Sequence, residues 1–253
     1  PSFDPDKIGR AVKYQKNPIF NRAVQGNFPP GSVFKIAVAL AGLESKSIDK
    51  NSEFEDVGHF ELGGEQFTNW FYNQYGKTDG VIKIERAITR SNDTFFYKLA
   101  QKMGLGPLRS AAIKLGFGQK TGIDLPEEAY GLVPDEVWKK SVKGDSWYTG
   151  DTLHLSIGQG FMLTTPIQVN AMTSYIASGK LTKPYLVSKI GAGVGGGEIN
   201  FRPKVVGEKL FSQDNLYLVK SGMRGACELG GTGYPFFDAK YKVAIYMARS
   251  DPK

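Results

Sequence analysis

Apolar residues recur three and four positions apart along much of this chain, which is the spacing of an α-helix that buries one face. The first such stretch follows the turn Pro29-Pro30-Gly31, and it predicts a helix that begins at Ser32 and ends near Leu43. Residues typical of helix caps begin most of the other stretches with this spacing, and glycines typical of helix C-termini end them. The pattern therefore predicts further helices over 82–89, 91–103, 107–115, 165–178 and 210–227.

Strand patterns are few and short. Residues 47–80 predict loops with short strands, and residues 118–150 predict loops alone. Tyr185–Ile190 alternates as a strand does, Tyr241–Ala248 is the only late strand candidate, and the glycine-rich stretch Gly191–Gly197 predicts the flexible tip of a hairpin. Because helices outnumber strands, the pattern favours a mainly helical α+β domain.

The composition limits the classes of function. The chain has 253 residues, of which 41% are hydrophobic and 23% charged, so we expect a folded domain. The net charge of +7 permits an anionic partner, but the lysines are scattered and no nucleic-acid-binding motif accompanies them, so we expect no nucleic acid. No apolar run reaches the roughly 18 residues that span a bilayer. One cysteine and two histidines predict no disulfide framework and no metal, and no nucleotide-binding loop or other cofactor site is predicted.

The first chemical signal is the pair Ser32 and Lys35. Residues three apart share one face of a helix, so the hydroxyl and the amine are within mutual reach. A serine becomes nucleophilic when a base takes its proton, and a lysine can be that base if burial or nearby positive charge lowers its pKa. The helix N-terminus adds positive potential and N–H groups for an oxyanion. Alone, the pair is explained more simply by a capping serine and a surface lysine.

The second signal is Ser91-Asn92-Asp93, which opens another predicted helix. Alone, this tripeptide is an ordinary helix cap. Together with Ser32 and Lys35 it supplies what an acyl-transfer site needs. Ser91 could relay a proton to the leaving group, and Asp93 could hold Lys35 and position an amide of the substrate.

These two motifs resemble the S-x-x-K and S-x-N signatures of penicillin-binding proteins and serine β-lactamases. Asp93 in place of Asn is similar to class B penicillin-binding proteins of the cell-elongation type. The resemblance covers residues 1 to about 244, and the matching stretches occur in the family's order: Phe3–Pro5, Phe28–Lys35, Ser91–Tyr97, Thr121–Pro126, Trp147–Thr152, Ser156–Gly160 and Thr165–Gln168.

The resemblance implies a β-lactamase/transpeptidase-like fold and D,D-transpeptidase activity on peptidoglycan stem peptides, with acylation by β-lactams. It implies a parent protein anchored in the cytoplasmic membrane and acting on its cell-wall side. Some relatives carry zinc between the first two motifs, but this chain has only His59 there, so we expect no metal. The implied catalytic residues are Ser32 as nucleophile, Lys35 as general base, and Ser91 with Asp93 as the second motif. The implied substrate contacts are Asn92, Trp147, Gly150, Asp151 and Thr152.

The resemblance breaks at the third motif of the family, K-[ST]-G-[TS]. This motif should follow Tyr241–Ala244, but Ile245–Arg249 stands there instead. Lys120–Gly122 and Lys220–Gly222 are interpreted as chance matches. We therefore expect one transpeptidase-like domain over 1–253, truncated at both ends relative to the family, with an incomplete antiparallel sheet. We also expect weakened activity, because loss of one oxyanion donor costs about 10²–10³ in rate.

Two other functions stay open on the residues alone. The Ser32–Lys35 pair could serve a hydrolase that cleaves small esters or β-lactams, or the chain could be a non-catalytic scaffold that binds a cell-wall partner. An aromatic cluster is interpreted as packing under a loop rather than as a platform for sugars; it comprises Trp70, Phe71, Tyr72 and Tyr75.

Overall fold

A computed structural model describes residues 19–191, 197–233 and 236, and the fold is given for these residues. A 3₁₀ turn, Gly31–Phe34, leads directly into the first α-helix. The α-helices are α1 (Lys35–Glu44), α2 (Trp70–Tyr75), α3 (Ile84–Arg90), α4 (Asp93–Met103), α5 (Leu105–Lys114), α6 (Glu136–Lys143), α7 (Thr149–Ser156), α8 (Pro166–Ser178) and α9 (Gln213–Gly225). None of them is both long and apolar enough to span a bilayer.

The strands of this part of the chain form antiparallel pairs rather than one broad sheet. β1 pairs with β4, β2 with β3, β5 with β8, and β6 with β7. The strands are β1 (Glu53–Asp56), β2 (His59–Leu62), β3 (Glu65–Thr68), β4 (Gly80–Lys83), β5 (Lys180–Lys183), β6 (Lys189–Gly191), β7 (Glu198–Asn200) and β8 (Lys204–Glu208). The late strand predicted at Tyr241–Ala248 lies outside the described residues.

The core is built around α1. This helix is apolar on all sides, and Val38, Ala39 and Leu40 are fully buried. It packs against α4, α5 and α9, so its position is fixed from several directions. Each large aliphatic side chain buried in this way contributes about 1.5–3 kcal/mol. The helix therefore holds the residues at its N-terminal end in a rigid frame.

A second contact supports the turn that follows α3. Helix α9 crosses α3 closely, because Gly222 carries no side chain where a Cβ would lie 2.7 Å from Cβ of Ile88. The Thr89 hydroxyl donates a hydrogen bond to the carbonyl oxygen of Gly222, at 3.1 Å. The end of α3, from which the second motif follows, is thereby held against α9.

The predicted helices are present, with shifted ends. Strand β4 takes residues 80–83, so α3 begins at Ile84 rather than at residue 82. Three helices were not predicted. Helix α2 lies in the region interpreted as loops with short strands, α6 lies in the region interpreted as loops alone, and α7 begins at the end of that region. Helices α6 and α7 are short and start at local caps, in which Asp135 accepts from the Trp138 N–H at 2.8 Å and Asp151 from the Tyr148 N–H at 2.7 Å. Their few apolar positions give no helical period, which is why the prediction of loops was wrong there.

The predicted strand at Tyr185–Ile190 is mostly absent. Only β6 forms, because the N–H groups of Leu186 and Val187 donate to the Asp124 carboxylate at 2.7 and 2.9 Å instead of to a neighbouring strand. The pairing of β6 with β7 agrees with a hairpin around the glycine-rich stretch. Residues 192–196, most of the expected tip, lie outside the described residues.

Candidate active site

A cavity of about 1180 Å³ opens beside the start of α1. Its walls come from the 3₁₀ turn, β3, α2, the turn between α3 and α4, and the segments that follow α7 and α9. Ser32, Ser91 and Asp93 all line it. The two sequence motifs, 56 or more residues apart, thus meet in one concave site.

The Lys35 side chain is fully buried behind this cavity. Its Nζ donates to the carbonyl oxygen of Ser91 at 2.8 Å, contacts Ser91 Oγ at 3.2 Å and forms an ion pair with Asp93 Oδ1 at 2.5 Å. The Lys35 N–H also donates to the carbonyl oxygen of Ser32, so both residues belong to the same turn. This geometry excludes the alternative of a surface lysine.

A close backbone contact fixes the turn that carries Ser32. The Gly31 N–H donates to the carbonyl oxygen of Gly158 at 3.0 Å. A Cβ at Gly158 would lie 2.1 Å from the carbonyl oxygen of Gly31, and its φ of +70° is in the left-handed region. A side chain at Gly158 would therefore push the Ser32 turn out of place.

Ser91 adopts a backbone conformation that a serine seldom takes. Its φ is 51° and its ψ 40°, in the left-handed region. The Asn92 N–H donates to the carbonyl oxygen of Ala87 and the Ser91 N–H to that of Ile88, which together close a Schellman motif at the end of α3. A non-glycine residue in this position costs about 1–2 kcal/mol. The strained turn is what points Ser91 toward Lys35.

Asp93 is held from two sides at the first turn of α4. Its Oδ2 accepts from the Trp70 N–H at 3.1 Å, while Oδ1 faces Lys35. The Asp93 N–H donates to the Asn69 side chain at 3.2 Å. A carboxylate at a helix N-terminus is also favoured by the helix dipole. These contacts fix the carboxylate that orients the lysine.

Asn92 does not reach the cavity, which corrects its expected role as a substrate contact. It is fully buried, and its Oδ1 caps α4 by accepting from the Phe95 N–H at 2.8 Å. Its Nδ2 donates to Asp56 at 2.7 Å and contacts Asp79 at 3.3 Å. Asn92 therefore supports the second motif from behind.

Asp56 is the centre of this buried network, which sequence reasoning missed. Its carboxylate accepts from the side chains of Asn69 and Asn92 and from the backbone N–H groups of Gly58 and Asp79, at 2.7–3.0 Å. Four donors satisfy a buried carboxylate without a cation in direct contact. No sequence pattern marks the network, because Asp56 and Asn92 are 36 residues apart.

Gly150 and Asp151 line a second cavity of about 500 Å³. It adjoins the large cavity, since Glu65, Phe67 and His154 line both. The His154 ring lies 5.2 Å from the ring of Phe67. Neither Glu65 nor His154 was predicted as a site residue; only their position at the junction of the two cavities marks them.

Asp151 also anchors Lys139. Lys139 Nζ lies 2.7 Å from Asp151 Oδ2 and 3.1 Å from Asp145 Oδ2. Burial lowers the pKa of Lys139, but the hydrogen bonds to Asp151 and Asp145 outweigh burial and hold this pKa above its ordinary value. Asp151 therefore stabilises the start of α7 as well as lining the small cavity.

Trp147 and Thr152 line neither of these two cavities, and their expected roles as substrate contacts stay predictions. The indole N–H of Trp147 donates to Thr152 Oγ1 at 2.8 Å, and Thr152 is 4% exposed. Trp147 packs against the main core. The hydrogen bond between these two side chains holds the loop before α7 against the core of the domain.

The aromatic cluster of α2 forms part of the large cavity. Trp70, Phe71 and Tyr75 line it, whereas Tyr72 does not. The rings of Trp70, Phe71 and Tyr75 also pack on one another, and their interpretation as packing under a loop rather than as a platform for sugars stays a prediction. Arg90, which the sequence did not single out, lines the same cavity.

The two chance matches to the third motif lie away from both cavities. The N–H groups of Thr121 and Gly122 donate to the Glu128 carboxylate at 2.7 and 2.9 Å. Lys220 Nζ donates to the carbonyl oxygen of Ala177 at 3.2 Å. In the part of the chain that the structure describes, no group of three or more His, Cys, Asp or Glu side chains could hold a metal ion.

Ser32 lines the cavity one turn from the buried Lys35, and Ser91 and Asp93 both contact that lysine. This is the arrangement expected of a serine acyl-enzyme site of the S-x-x-K type. The sequence of residues 1–245 matches the family described as penicillin binding protein transpeptidase domain, and the chain belongs to this family. The predicted resemblance is confirmed.

The chain is similar to two curated proteins named peptidoglycan D,D-transpeptidase MrdA. It is 36% identical over 265 residues to that of Salmonella typhimurium, covering 99% of this chain and 42% of the relative. It is 32% identical over 259 residues to that of Escherichia coli K12, covering 96% of this chain and 40% of the relative. The chain thus spans less than half the length of these relatives.

Solved structures support the same fold. The penicillin-binding protein PBP2 from Helicobacter pylori is similar with a TM-score of 0.82 and 32% identity over 96% of this chain and 44% of that one. PBP2 of Pseudomonas aeruginosa in complex with WCK 5153 has a TM-score of 0.80 and 34% identity over 96% of this chain and 55% of that one. The predicted α+β fold of β-lactamase/transpeptidase type is confirmed.

Proposed function

We propose that this chain is an elongation-type class B transpeptidase domain, which acts on peptidoglycan stem peptides and is acylated by β-lactams. In the acylation step, Ser32 Oγ bonds to the carbonyl carbon of the penultimate D-Ala. The peptide C–N bond breaks, and the terminal D-Ala leaves with a proton on its nitrogen. In the second step, an amine of another stem peptide attacks the ester, which restores the Ser32 hydroxyl.

The observation that carries this proposal is the contact set of Lys35. Once the Lys35 ammonium of the ion pair has lost one proton, its amine, one turn from Ser32, accepts the hydroxyl proton as Ser32 attacks. Because Lys35 Nζ lies 3.2 Å from Ser91 Oγ, the same proton passes through Ser91 to the departing nitrogen. Asp93, at 2.5 Å, holds the lysine in position. The N–H of Ser32 in the helix-initiating turn serves as one oxyanion donor.

The names of the similar proteins support the same activity. The curated relatives from Salmonella typhimurium and Escherichia coli are named as D,D-transpeptidases. By analogy we propose peptidoglycan as substrate, the cell-wall side of the cytoplasmic membrane as location, and a membrane-anchored parent protein. Gly150 and Asp151 are proposed to contact substrate through the smaller cavity. The expected weakening of activity stays a prediction.

Mass spectrometry after exposure to a penicillin tests the proposal. We expect a covalent adduct on Ser32 in the unmodified protein and none in Ser32→Ala, because the acyl bond requires the hydroxyl. Lys35→Met should form the adduct more than 10²-fold more slowly, because the base is absent.

The other outcomes separate the alternative functions. Turnover of a chromogenic ester without a stable penicillin adduct would favour the hydrolase, and neither reaction would favour a non-catalytic scaffold. An adduct that forms equally on Ser32→Ala would contradict the assignment of the nucleophile.

A further inference from the structure

Arg90 lies beside Trp70, Phe71 and Tyr75, whose rings form one wall of the large cavity, here called the aromatic wall. Its side chain is only 10% exposed, and its guanidinium carbon lies 4.2 Å from the ring centre of Phe71 and 5.6 Å from that of Trp70. Both rings and Tyr75 line the cavity beside it. A guanidinium stacked in this way is held in one plane, and its free edge is presented in a fixed direction.

One edge of that guanidinium is not used by the residues that the structure describes. Nε donates to Asp79 Oδ1 at 2.9 Å, and Nη1 donates to the carbonyl oxygen of Gly230 at 3.0 Å. No described residue accepts a hydrogen bond from Nη2. Since Gly231, next to Gly230, lines the cavity, the guanidinium lies where the aromatic wall meets this segment.

The carboxylate partner of Arg90 is shared. Asp79 Oδ1 lies 2.9 Å from Arg90 and 3.7 Å from Arg86. One carboxylate therefore faces two guanidinium groups. Among the described contacts, the neighbouring Asp56 carboxylate pairs with neither arginine and is already satisfied by four N–H donors. The positive charge of Arg90 is thus incompletely balanced on the cavity side.

Arg90 is also the only lysine or arginine among the described residues that line this cavity. The carboxylates in the same lining, Glu65 and Asp93, would repel an anionic ligand elsewhere in the site. An anionic group that enters the cavity is therefore directed toward Arg90, where a planar fork of N–H donors is available.

We propose that Arg90 binds a carboxylate of the acyl donor and that the aromatic wall packs against the apolar atoms next to that carboxylate. The inference rests on the proposed function, because the ligand is the donor that acylates Ser32. A stem peptide offers two sources, its C-terminal carboxylate and its side-chain carboxylates. Both are carboxylates, and a carboxylate is the group that the guanidinium of Arg90 binds in this proposal.

Acylation kinetics test this role through selectivity. The rate constant for acylation of Ser32 is measured with a β-lactam acid and with its methyl ester. We expect the unmodified protein to prefer the acid about 10- to 100-fold, as a hydrogen-bonded charge pair predicts. Arg90→Gln should lose this preference while its rate with the ester stays within about threefold.

Arg86→Gln is the matched control. Arg86 lies on the same helix and faces the same Asp79, but it is half exposed and does not line the cavity. It should keep the preference for the acid. If Arg90→Gln slows both reagents equally, or if the unmodified protein shows no preference, the proposal is overturned. Arg90→Lys, which keeps the charge in case Arg90→Gln unfolds, should retain part of the preference.

Equilibrium binding separates this proposal from the proposed function. Ser32→Ala is titrated with a peptide ending in D-Ala-D-Ala, with its C-terminal amide, and with a version amidated on its side-chain carboxylate. About a tenfold loss on amidation, absent when Arg90→Gln is added, identifies the carboxylate that Arg90 binds. If neither amidation weakens binding, the role of Arg90 is refuted even where Ser32 is acylated. If Ser32 is never acylated, the proposed function fails, and the titration still decides Arg90.

Discussion

Replacing Asp93 with asparagine keeps the shape of the side chain but removes the charge that lies 2.5 Å from Lys35 Nζ. The asparagine oxygen can still accept from the Trp70 N–H, as Oδ2 does now at 3.1 Å. Its amide group, however, would then point N–H donors at an ammonium that is also a donor. The substitution therefore leaves the buried ammonium without its partner charge while the side chain keeps its size.

The magnitude follows from the distance and the burial. Two unit charges 2.5 Å apart attract by about 332/(20 × 2.5), or roughly 7 kcal/mol, at an effective dielectric constant of about 20. The cost of desolvation offsets part of this attraction, since the two side chains are 0% and 12% exposed. Removing one member of such a buried pair typically costs about 3–5 kcal/mol. We expect Asp93→Asn to lower the free energy of unfolding by that amount.

The double variant Lys35→Met with Asp93→Asn supplies the comparison. Here no buried charge is left without its partner, so we expect most of the lost stability to return, although acylation is abolished. Replacement of a buried ion pair by neutral groups is often neutral or stabilising. The sum of the two single losses should exceed the loss of the double variant by at least 2 kcal/mol.

Urea unfolding followed by circular dichroism measures these differences. With a denaturant dependence of about 2–3 kcal/mol per M, Asp93→Asn should lower the midpoint by about 1–2 M. If Asp93→Asn costs less than about 1 kcal/mol, or if the single losses simply add in the double variant, the reasoning about this ion pair is refuted.

Three further outcomes follow from positions outside the ion pair. Ser91→Gly should raise the free energy of unfolding by about 1 kcal/mol because glycine relieves the left-handed φ of 51°, yet acylation should slow because the hydroxyl is lost. Asp56→Ala should cost about 3 kcal/mol or more, because it removes the acceptor of the buried Asn69 amide and leaves the Asn92 amide only its 3.3 Å contact with Asp79. The Val187 N–H, and then that of Leu186, hold the pKa of Asp124 below its usual 3.8. The stability that Asp124 adds over Asp124→Asn is therefore present above about pH 4 and lost as the pH falls through the lowered pKa.

Each of these has a measurement that can contradict it. Ser91→Ala, which keeps the side-chain β-carbon, should show no gain in the urea midpoint; an equal gain would exclude relief of backbone strain. Intact acylation in a folded Asp56→Ala would show that the buried network does not position the second motif. For Asp124, thermal melts from pH 7 to pH 2.5 should converge with those of Asp124→Asn at the acid end, and a constant difference would disprove the linkage.

The two short motifs were accessible from the sequence because each is local. Ser32 and Lys35 are one turn apart, and Ser91 and Asp93 flank a helix start, so helical geometry alone places them. The contact between Lys35 and Asp93, 58 residues apart, was expected only by combining the motifs, and it is present. The catalytic roles of these residues stay predictions.

What could not be predicted depends on contacts between distant segments. Asn92 is a polar residue of the kind that contacts substrates. Its side-chain amide instead points into the interior and donates to Asp56, 36 residues away. Trp147 donates a hydrogen bond to Thr152, because the start of α7 brings the two side chains together. Nothing in the local pattern distinguishes a polar side chain that faces a cavity from one that faces a buried carboxylate.

The turn between α3 and α4 directs four consecutive residues to three separate sets of partners. Arg90 bonds to the loop carbonyl of Gly230, Ser91 and Asp93 meet the lysine, and Asn92 faces inward. Deleting or inserting one residue here would rotate every following position by about 100° around the axis of α4. This segment should therefore tolerate exchanges of side chain far better than changes of length, and homologous domains with the same chemistry should align across it without gaps.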